Sequence, residues 1–495
     1  MVSLAQYEQQ YHTMLPNYSW FEDIMPSKTG ALVVGEANGK AVILHLDSSG
    51  KAVWRDSSLN LPLSHGLRLI QNSKGKVHML GDFEATNGVN DIYCRQYSAY
   101  RKLQWQSTYD SPNGSFNPDH FSDAVIDHND NLYIAGSGKA GGSSDKAQIL
   151  KYNANGSLLT DTLLSKRHGT GKYVGIEVDS NRVLATFYSQ FGATLTTELH
   201  CFDLDLNLLW ESDLPYTFIF NHNALAINPS GYAAVVGRKY SNLKDALIIY
   251  RPNGDTVRNI QMDLPGYSVL YNSKVIMDTT KFIYVLANYN SVQMLSKYDT
   301  TGYFYWADTL SRRLIGVVEN SQVFHLAGDR IICSSFYLNA QLHIFDTAGT
   351  RLYQIPIDLP GYTTPKIASI TTDRQGGILI CGAAADGNKP SSKHAFATYF
   401  KNLNPIDTSD TTITSRWMSH NDFDQIGLFP NPVHNQLNFE KEHTFITIYN
   451  SQGQMVRYFP KPTRQLHLAS LPGGLYTIVA TDKKGSLHKA SFVKL

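Results

Sequence analysis

Short apolar runs, each closed by a polar turn, recur along most of this chain. Phe21-Glu-Asp-Ile-Met-Pro-Ser-Lys-Thr-Gly-Ala-Leu-Val-Val-Gly35 and Phe121-Ser-Asp-Ala-Val-Ile-Asp-His-Asn-Asp-Asn-Leu-Tyr-Ile-Ala-Gly136 share one frame: strand, polar turn, apolar strand, small residue. Laid along the sequence, that frame returns at Gly81, Phe187, Gly237, Asn288, Ser335 and Gly382, so the steps from Gly35 onward are 46, 55, 51, 50, 51, 47 and 47 residues. A third strand then ends in a turn such as Leu46-Asp47-Ser48-Ser49-Gly50, Tyr152-Asn153-Ala154-Asn155-Gly156 or Tyr250-Arg251-Pro252-Asn253-Gly254. There the Asx side chain bonds the turn backbone and glycine supplies the positive φ. A fourth strand follows, often with an aromatic residue such as Trp54, Trp105, Trp210 or Trp306. Near the start, Leu4, Tyr7, Tyr11 and Leu15 fall at helical spacing, which predicts a short amphipathic helix packed on the rest.

Four strands repeated at this period are the blades of a β-propeller, because one such unit buries its two faces only against neighbours. The fold class expected is all-β: an eight-bladed propeller, or a seven-bladed one if the frame near Phe187 or Ser335 is miscounted, followed by a small immunoglobulin-like β-sandwich. The domains expected are a propeller over 1–415, a polar linker over 416–425 and the sandwich over 426–495, where about seven short alternating segments follow one another.

Ordered motifs mark the last segment: Leu428-Phe429-Pro430-Asn431-Pro432-Val433, Ile446-Thr447-Ile448-Tyr449-Asn450-Ser451-Gln452-Gly453-Gln454, Leu471-Pro472-Gly473-Gly474-Leu475-Tyr476 and the closing Phe492-Val493-Lys494-Leu495. Together they resemble the type A sorting domain of the type IX secretion system of Bacteroidota. The resemblance implies that Pro430, Asn431, Pro432, Gly453, Gly474, Tyr476 and Lys494 belong to a sorting signal and that residues 426–495 engage the secretion machinery. It also implies release to the medium or attachment at the outer surface of a Gram-negative cell. The opening Met1-Val2-Ser3-Leu4-Ala5-Gln6 lacks the basic start and apolar run of a signal peptide, so such a peptide is expected to have been removed or to lie outside this sequence.

Charge narrows the partners. Lys and Arg number 43 against 42 Asp and Glu, which leaves no broad basic field for nucleic acid, and no apolar run is long enough to span a membrane as a helix. Cys94, Cys201, Cys333 and Cys381 lie far apart within apolar strands, as buried free thiols do, with no pair suited to zinc or redox work.

Chemistry is sparse in the repeats. Asp47-Ser-Ser-Gly50-Lys-Ala-Val-Trp54 and Asp299-Thr-Thr-Gly302-Tyr-Phe-Tyr-Trp306 resemble the tryptophan-docking repeats of quinoprotein-like propellers, but the Cys-Cys pair of the dehydrogenases is absent and no cofactor is expected. Asp127-His-Asn-Asp-Asn131 spaces oxygen ligands as a calcium loop does, yet it lacks the glycine and distal glutamate, so no metal is expected. Asp82, Glu84, Asp123 and Glu177 are the acids available to a carboxylate-pair glycosidase, whose two groups must lie roughly 5 to 10 Å apart. Tyr188, Tyr240, Tyr289 and Tyr337 follow the second strand of four successive repeats and are candidates for a ligand-stacking cluster, or else packing residues capping the blades. Three readings stay open: a non-enzymatic module that binds a glycan or protein, an extracellular polysaccharide-active enzyme with its site in the channel, and a structural part of a surface adhesin.

Overall fold

Each repeat of the sequence folds into an antiparallel sheet, and in all but the last the strands follow one another in chain order. In the computed structural model the described residues are 7–15, 19–57, 63–85, 90–110, 119–138, 145–164, 170–191, 194–214, 218–219, 224–239, 245–262, 273–289, 292–312, 323–335, 340–386, 389–402, 424–425, 428–450, 455–459, 463–469, 471–481 and 487–495. The chain divides into two units, Met1–Ile406 and Asp407–Leu495. Eight sheets make up the first unit among the described residues. The first sheet is Ser19–Ser27, Gly30–Ala37, Lys40–Asp47 and Ala52–Ser57; the others repeat that order except the fifth, whose inner position is split between Phe218–Ile219 and Leu225–Ile227, and the eighth, whose outer strand comes from the start of the chain. All eight frame positions read from the sequence, Gly35 through Gly382, lie on the second strand of a sheet. Second and third strands are apolar and almost wholly buried, as in Gly30–Ala37 and Lys40–Asp47, because neighbouring sheets cover both faces. Successive sheets pack face to face in a ring: Thr170–Val178 against the third sheet, Lys274–Met277 against the fifth, Tyr362–Thr372 against the seventh, and Ser19–Ser27 back against the eighth. This unit is a β-propeller.

The helix expected over residues 3–15 is not there. Tyr7–Met14 is a strand, and it pairs antiparallel with Lys389–Asn402 as the outermost strand of the eighth sheet. A spacing of four suits a helix face, but a register shift between Gln9 and Tyr11 turns the two tyrosines to opposite faces of the strand. Tyr7 packs edge-on to Tyr353 at 5.6 Å and accepts a hydrogen bond from Arg330 Nη1 at 2.9 Å, both in the seventh sheet. Tyr11 lies against Gly50, in a turn of the first sheet. The first strand of the chain is thus clamped between the last repeats and the first. Leu4 lies outside the described residues.

Turns and aromatic residues join neighbouring sheets. Asp47, Asn153, Asp203 and Asp299 each accept two backbone N–H bonds from residues two and four further on, which holds the hairpin between third and fourth strands. Asp127 does the same between first and second strands, taking N–H bonds from Asn129 and Asn131 and further bonds from Asn131 Nδ2 and Tyr133 OH. That carboxylate is filled by the protein, so the segment is a turn. Outer-strand tryptophans then dock under the next sheet's turn: Trp210 stacks on Tyr250 at 6.5 Å, and Trp306 on Phe345 at 6.3 Å. Gly254 sits directly over Trp210 with φ 91°, and a Cβ there would come within 2.8 Å of the indole. The four cysteines are buried free thiols.

If these indole contacts hold adjacent blades together, Trp210→Ala should lower the stability of the propeller by about 3 kcal/mol, as deletion of a large packed aromatic does. Leu209→Ala, at a residue 53% exposed beside it, should change it by no more than about 0.5 kcal/mol in the same urea titration.

Candidate functional site

The inner strand of most sheets carries a bulge, and the second-strand residue facing it explains why. Register shifts fall at Phe21/Asp23, Gly66/Arg68, Phe121/Asp123, Tyr173/Gly175 and Ile367/Ser369. Opposite four of them stand Gly35, Gly81, Gly136 and Gly382. At Gly136 a Cβ would collide with the carbonyl oxygen of His120, so only glycine lets the bulged backbone approach so closely. The bulge re-aims the next side chain, which places Asp23, Arg68, Asp123 and Ser369 at equivalent positions on different sheets. A central cavity of about 520 Å³ is lined by inner strands of seven sheets, with Glu22, Asp23, Arg68, Glu177, His325 and Ser369 among its polar residues.

Two of these acids are already engaged. Asp23 accepts hydrogen bonds from its neighbour Ile24 N at 2.9 Å, from Leu69 N of the second sheet at 2.9 Å and from Ser369 Oγ of the eighth at 2.7 Å. Asp123 accepts from Ala124 N at 2.9 Å and Ile176 N of the fourth sheet at 3.4 Å, with Arg68 Nη2 at 3.9 Å. Both aspartates therefore staple one inner strand to the next. The groups left for chemistry are Glu177, Glu22 and Lys274. Burial, aided by the charge of Asp123 and opposed by Arg68, pushes the Glu177 carboxyl up to about 8. Burial and then Asp23 push Glu22 up to about 7. Burial, with Arg68 beside it, pulls the Lys274 ammonium down to about 8. Near neutrality Glu177 is a protonated acid able both to donate and to accept a hydrogen bond.

On the same side of Glu22, His65 Nδ1 lies 2.5 Å from Glu36 Oε2, and its ring stacks on Trp20 at 6.2 Å with 19° between planes. The contact with Glu36 raises the His65 pKa, against the opposing effect of burial. Neither Trp20, Glu22, Arg68 nor Lys274 was singled out from the sequence. The Phe-x-Asp frame shared by Phe21-Glu-Asp23 and Phe121-Ser-Asp123 carried the signal for the bulge.

The sequence candidates fare differently. Of the four tyrosines only Tyr188 has a described side chain. It is half-buried against the core shared with the fifth sheet, with Lys172 Nζ 6.0 Å from its ring centre. Tyr240 and Tyr337 lie outside the described residues, and so does the side chain of Tyr289, which ends the strand Phe282–Tyr289. Of the acids, Asp123 and Glu177 come together at the channel. Asp82 is on the second strand of the second sheet, its pKa raised by burial against the influence of His65.

In the second unit the sorting motifs meet in space. Leu428–Phe429, Gln436–Asn450, Met455–Phe459, Thr463–His467, Gly474–Thr481 and Leu487–Lys494 surround a core that includes Val433, Leu437, Ile448, Ile478 and Phe492. Asn431 Oδ1 accepts a hydrogen bond from Val493 N at 2.9 Å, Val433 N donates to Val493 O at 2.8 Å, and Leu495 N donates to Val433 O at 2.9 Å. The bonds preceding Pro430 and Pro432 are both cis. Tyr476 stacks on Phe492 at 5.5 Å and donates to Pro472 O at 2.9 Å, while Gly474 pairs with the buried Lys494. Gly453 lies outside the described residues.

A β-propeller followed by a small sandwich of this kind is a protein with a secretion module behind its working domain. Residues 427–494 match the family described as the secretion system C-terminal sorting domain, so the chain carries a type IX sorting domain and is destined for the cell surface or the extracellular space, by way of the type IX machinery. No curated protein matches the chain. Among solved structures, a eukaryotic initiation factor is 10% identical, with 96% of this chain and 90% of that chain covered and a TM-score of 0.43. The β-propeller domain of the Trilobed protease from Pyrococcus furiosus is 10% identical over 70% of this chain and 99% of that one, with a TM-score of 0.39. The WD40 domain of SCAP from fission yeast is 7% identical over 68% and 86%, with a TM-score of 0.37.

The raised Glu177 carboxyl fixes the sign of a pH effect. From its ordinary value of 4.5 up to about 8 the folded protein keeps a proton that the unfolded chain gives up, so stability falls as pH rises through that window. Glu177→Gln should therefore be the more stable protein at pH 9, by about 2 kcal/mol once the water in the channel is discounted, with the gap closing towards pH 5 in urea titrations.

Proposed function

We propose that this is a secreted or surface-held binding module, an eight-bladed propeller that takes a polar ligand, a glycan residue, into its central channel. The observation that carries this reading is the channel itself: Glu177 as a neutral acid and Arg68 as a fixed cation line the cavity, Lys274 lies beside Arg68 with its ammonium pulled down to about 8, and among the described residues no staple consumes Glu177. Such a set pairs with hydroxyl groups in both donor and acceptor senses. Trp20, whose indole stacks on His65 near Glu22, adds an aromatic ring of the sort sugar rings lie against. The test is a glycan array probed with the purified propeller and with Glu177→Gln and Arg68→Ala. Saturable binding that weakens at least tenfold in both variants is expected, and binding unchanged by either would move the ligand elsewhere.

An extracellular glycosidase is the second reading, favoured by one observation: Glu22 and Glu177 both hold their protons to near neutral pH, as a general acid must. Against it, Asp23 and Asp123, the neighbouring carboxylates, are taken up by backbone N–H groups. Release of reducing ends from a polysaccharide panel, abolished by Glu177→Gln, would favour the enzyme.

Export follows from the sandwich. We place the protein on or outside the outer membrane of a Gram-negative bacterium of the Bacteroidota, after removal of a signal peptide. Deleting residues 426–495 should leave it in the periplasm, and finding the shortened protein in the medium at the normal level would defeat that reading.

A further inference from the structure

Away from the channel, the outer half of the fourth sheet gathers three metal-binding side chains. Glu198 and His200 are two apart on the strand Thr194–Asp203, and Glu211 stands directly opposite His200 on Leu208–Asp213. Residues two apart share a face of a strand, and a directly paired residue sits on the same face of its neighbour. One ligand atom from each of the three lies within 4.8 Å of the others.

The histidine is held as a ligand needs to be. Its ring stacks on Phe187 at 5.0 Å and meets Tyr173 and Phe202 edge-on. Nδ1 is 2.8 Å from the Tyr173 hydroxyl, which leaves Nε2 facing the carboxylates, 2.6 Å from Glu198 Oε2. Metal-bound histidines are oriented in this way through their second nitrogen. Glu198 and His200 are buried, whereas Glu211 is exposed and opens a path for an ion and for a water in a fourth position.

We propose that Glu198, His200 and Glu211 bind one divalent transition-metal ion of zinc type, clamping the outer strand of the fourth sheet to its neighbour. Two carboxylates balance the dication. Coordination through Nε2 sets the tautomer, leaving the Nδ1 hydrogen to be donated to the Tyr173 oxygen. One nitrogen and two oxygens suit zinc, whereas calcium and magnesium ask for about six or more oxygens. The strand clamped this way also carries Trp210, which docks the fifth sheet.

The test is calorimetric titration of the chelator-treated full chain with zinc, calcium and magnesium, in wild type and in Glu211→Ala, an exposed position, with the fold of the variant checked by circular dichroism. One equivalent of zinc, no calcium or magnesium, a melting temperature raised by zinc, and at least tenfold weaker zinc binding in Glu211→Ala are expected. Failure of the wild type to take up zinc, or equal zinc binding in Glu211→Ala, would overturn the proposal. Glu198→Gln supplies a second variant should the first lose its fold.

Discussion

No sheet of this propeller can stand alone, and the contact that answers this is the docking of one sheet's outer aromatic residue under the next sheet's glycine turn. Trp210 beneath Gly254 and Trp306 beneath Gly349 each join two sheets that share no strand pairing. The positive φ of these glycines and the flat indole are two halves of one device: a side chain on the turn would lift it off the ring, and a smaller residue beneath would leave a gap. Around the channel the same problem is met with charge, where Asp23 and Asp123 reach across to backbone N–H groups of the following sheet. Rim and centre are thus stitched by different chemistry, and the rigidity of the channel wall rests on both.

That division explains why so few channel groups are free. An inner-strand acid looks catalytic in a sequence, yet Asp123 spends both oxygens on the fold. Among the described residues Glu177 has no such partner, and its proton is held by burial and by the charge next to it. In the binding reading proposed above, ligand contact falls to the residues the staples leave over.

Much of the fold was legible because its punctuation is local. Asx-Gly turns, the glycine opposite four of the inner bulges and the apolar second and third strands all write themselves into a short window of sequence, and so do the sorting motifs. The N-terminal strand was misread because Tyr7 and Tyr11 lie four apart, a spacing that helix and strand share, and the intervening bulge is invisible until the partner strand is known. The channel was illegible for a related reason: Arg68, Glu177 and Lys274 come from three sheets, and only closure of the ring brings them together. The four tyrosines marked from the repeat were chosen by their place in a frame, and Tyr188 shows that such a place also serves packing.

Pairing of Tyr7–Met14 with Lys389–Asn402 has a temporal meaning as well. Tyr7–Met14 takes its seat only once Lys389–Asn402, far along the chain, is in place beside it. Until residue 402 is available, the eighth sheet lacks Lys389–Asn402, and Tyr7–Met14 has no strand to pair with. Completion of the ring is therefore a late, long-range event in the life of the chain, and it comes just before the sorting sandwich is made.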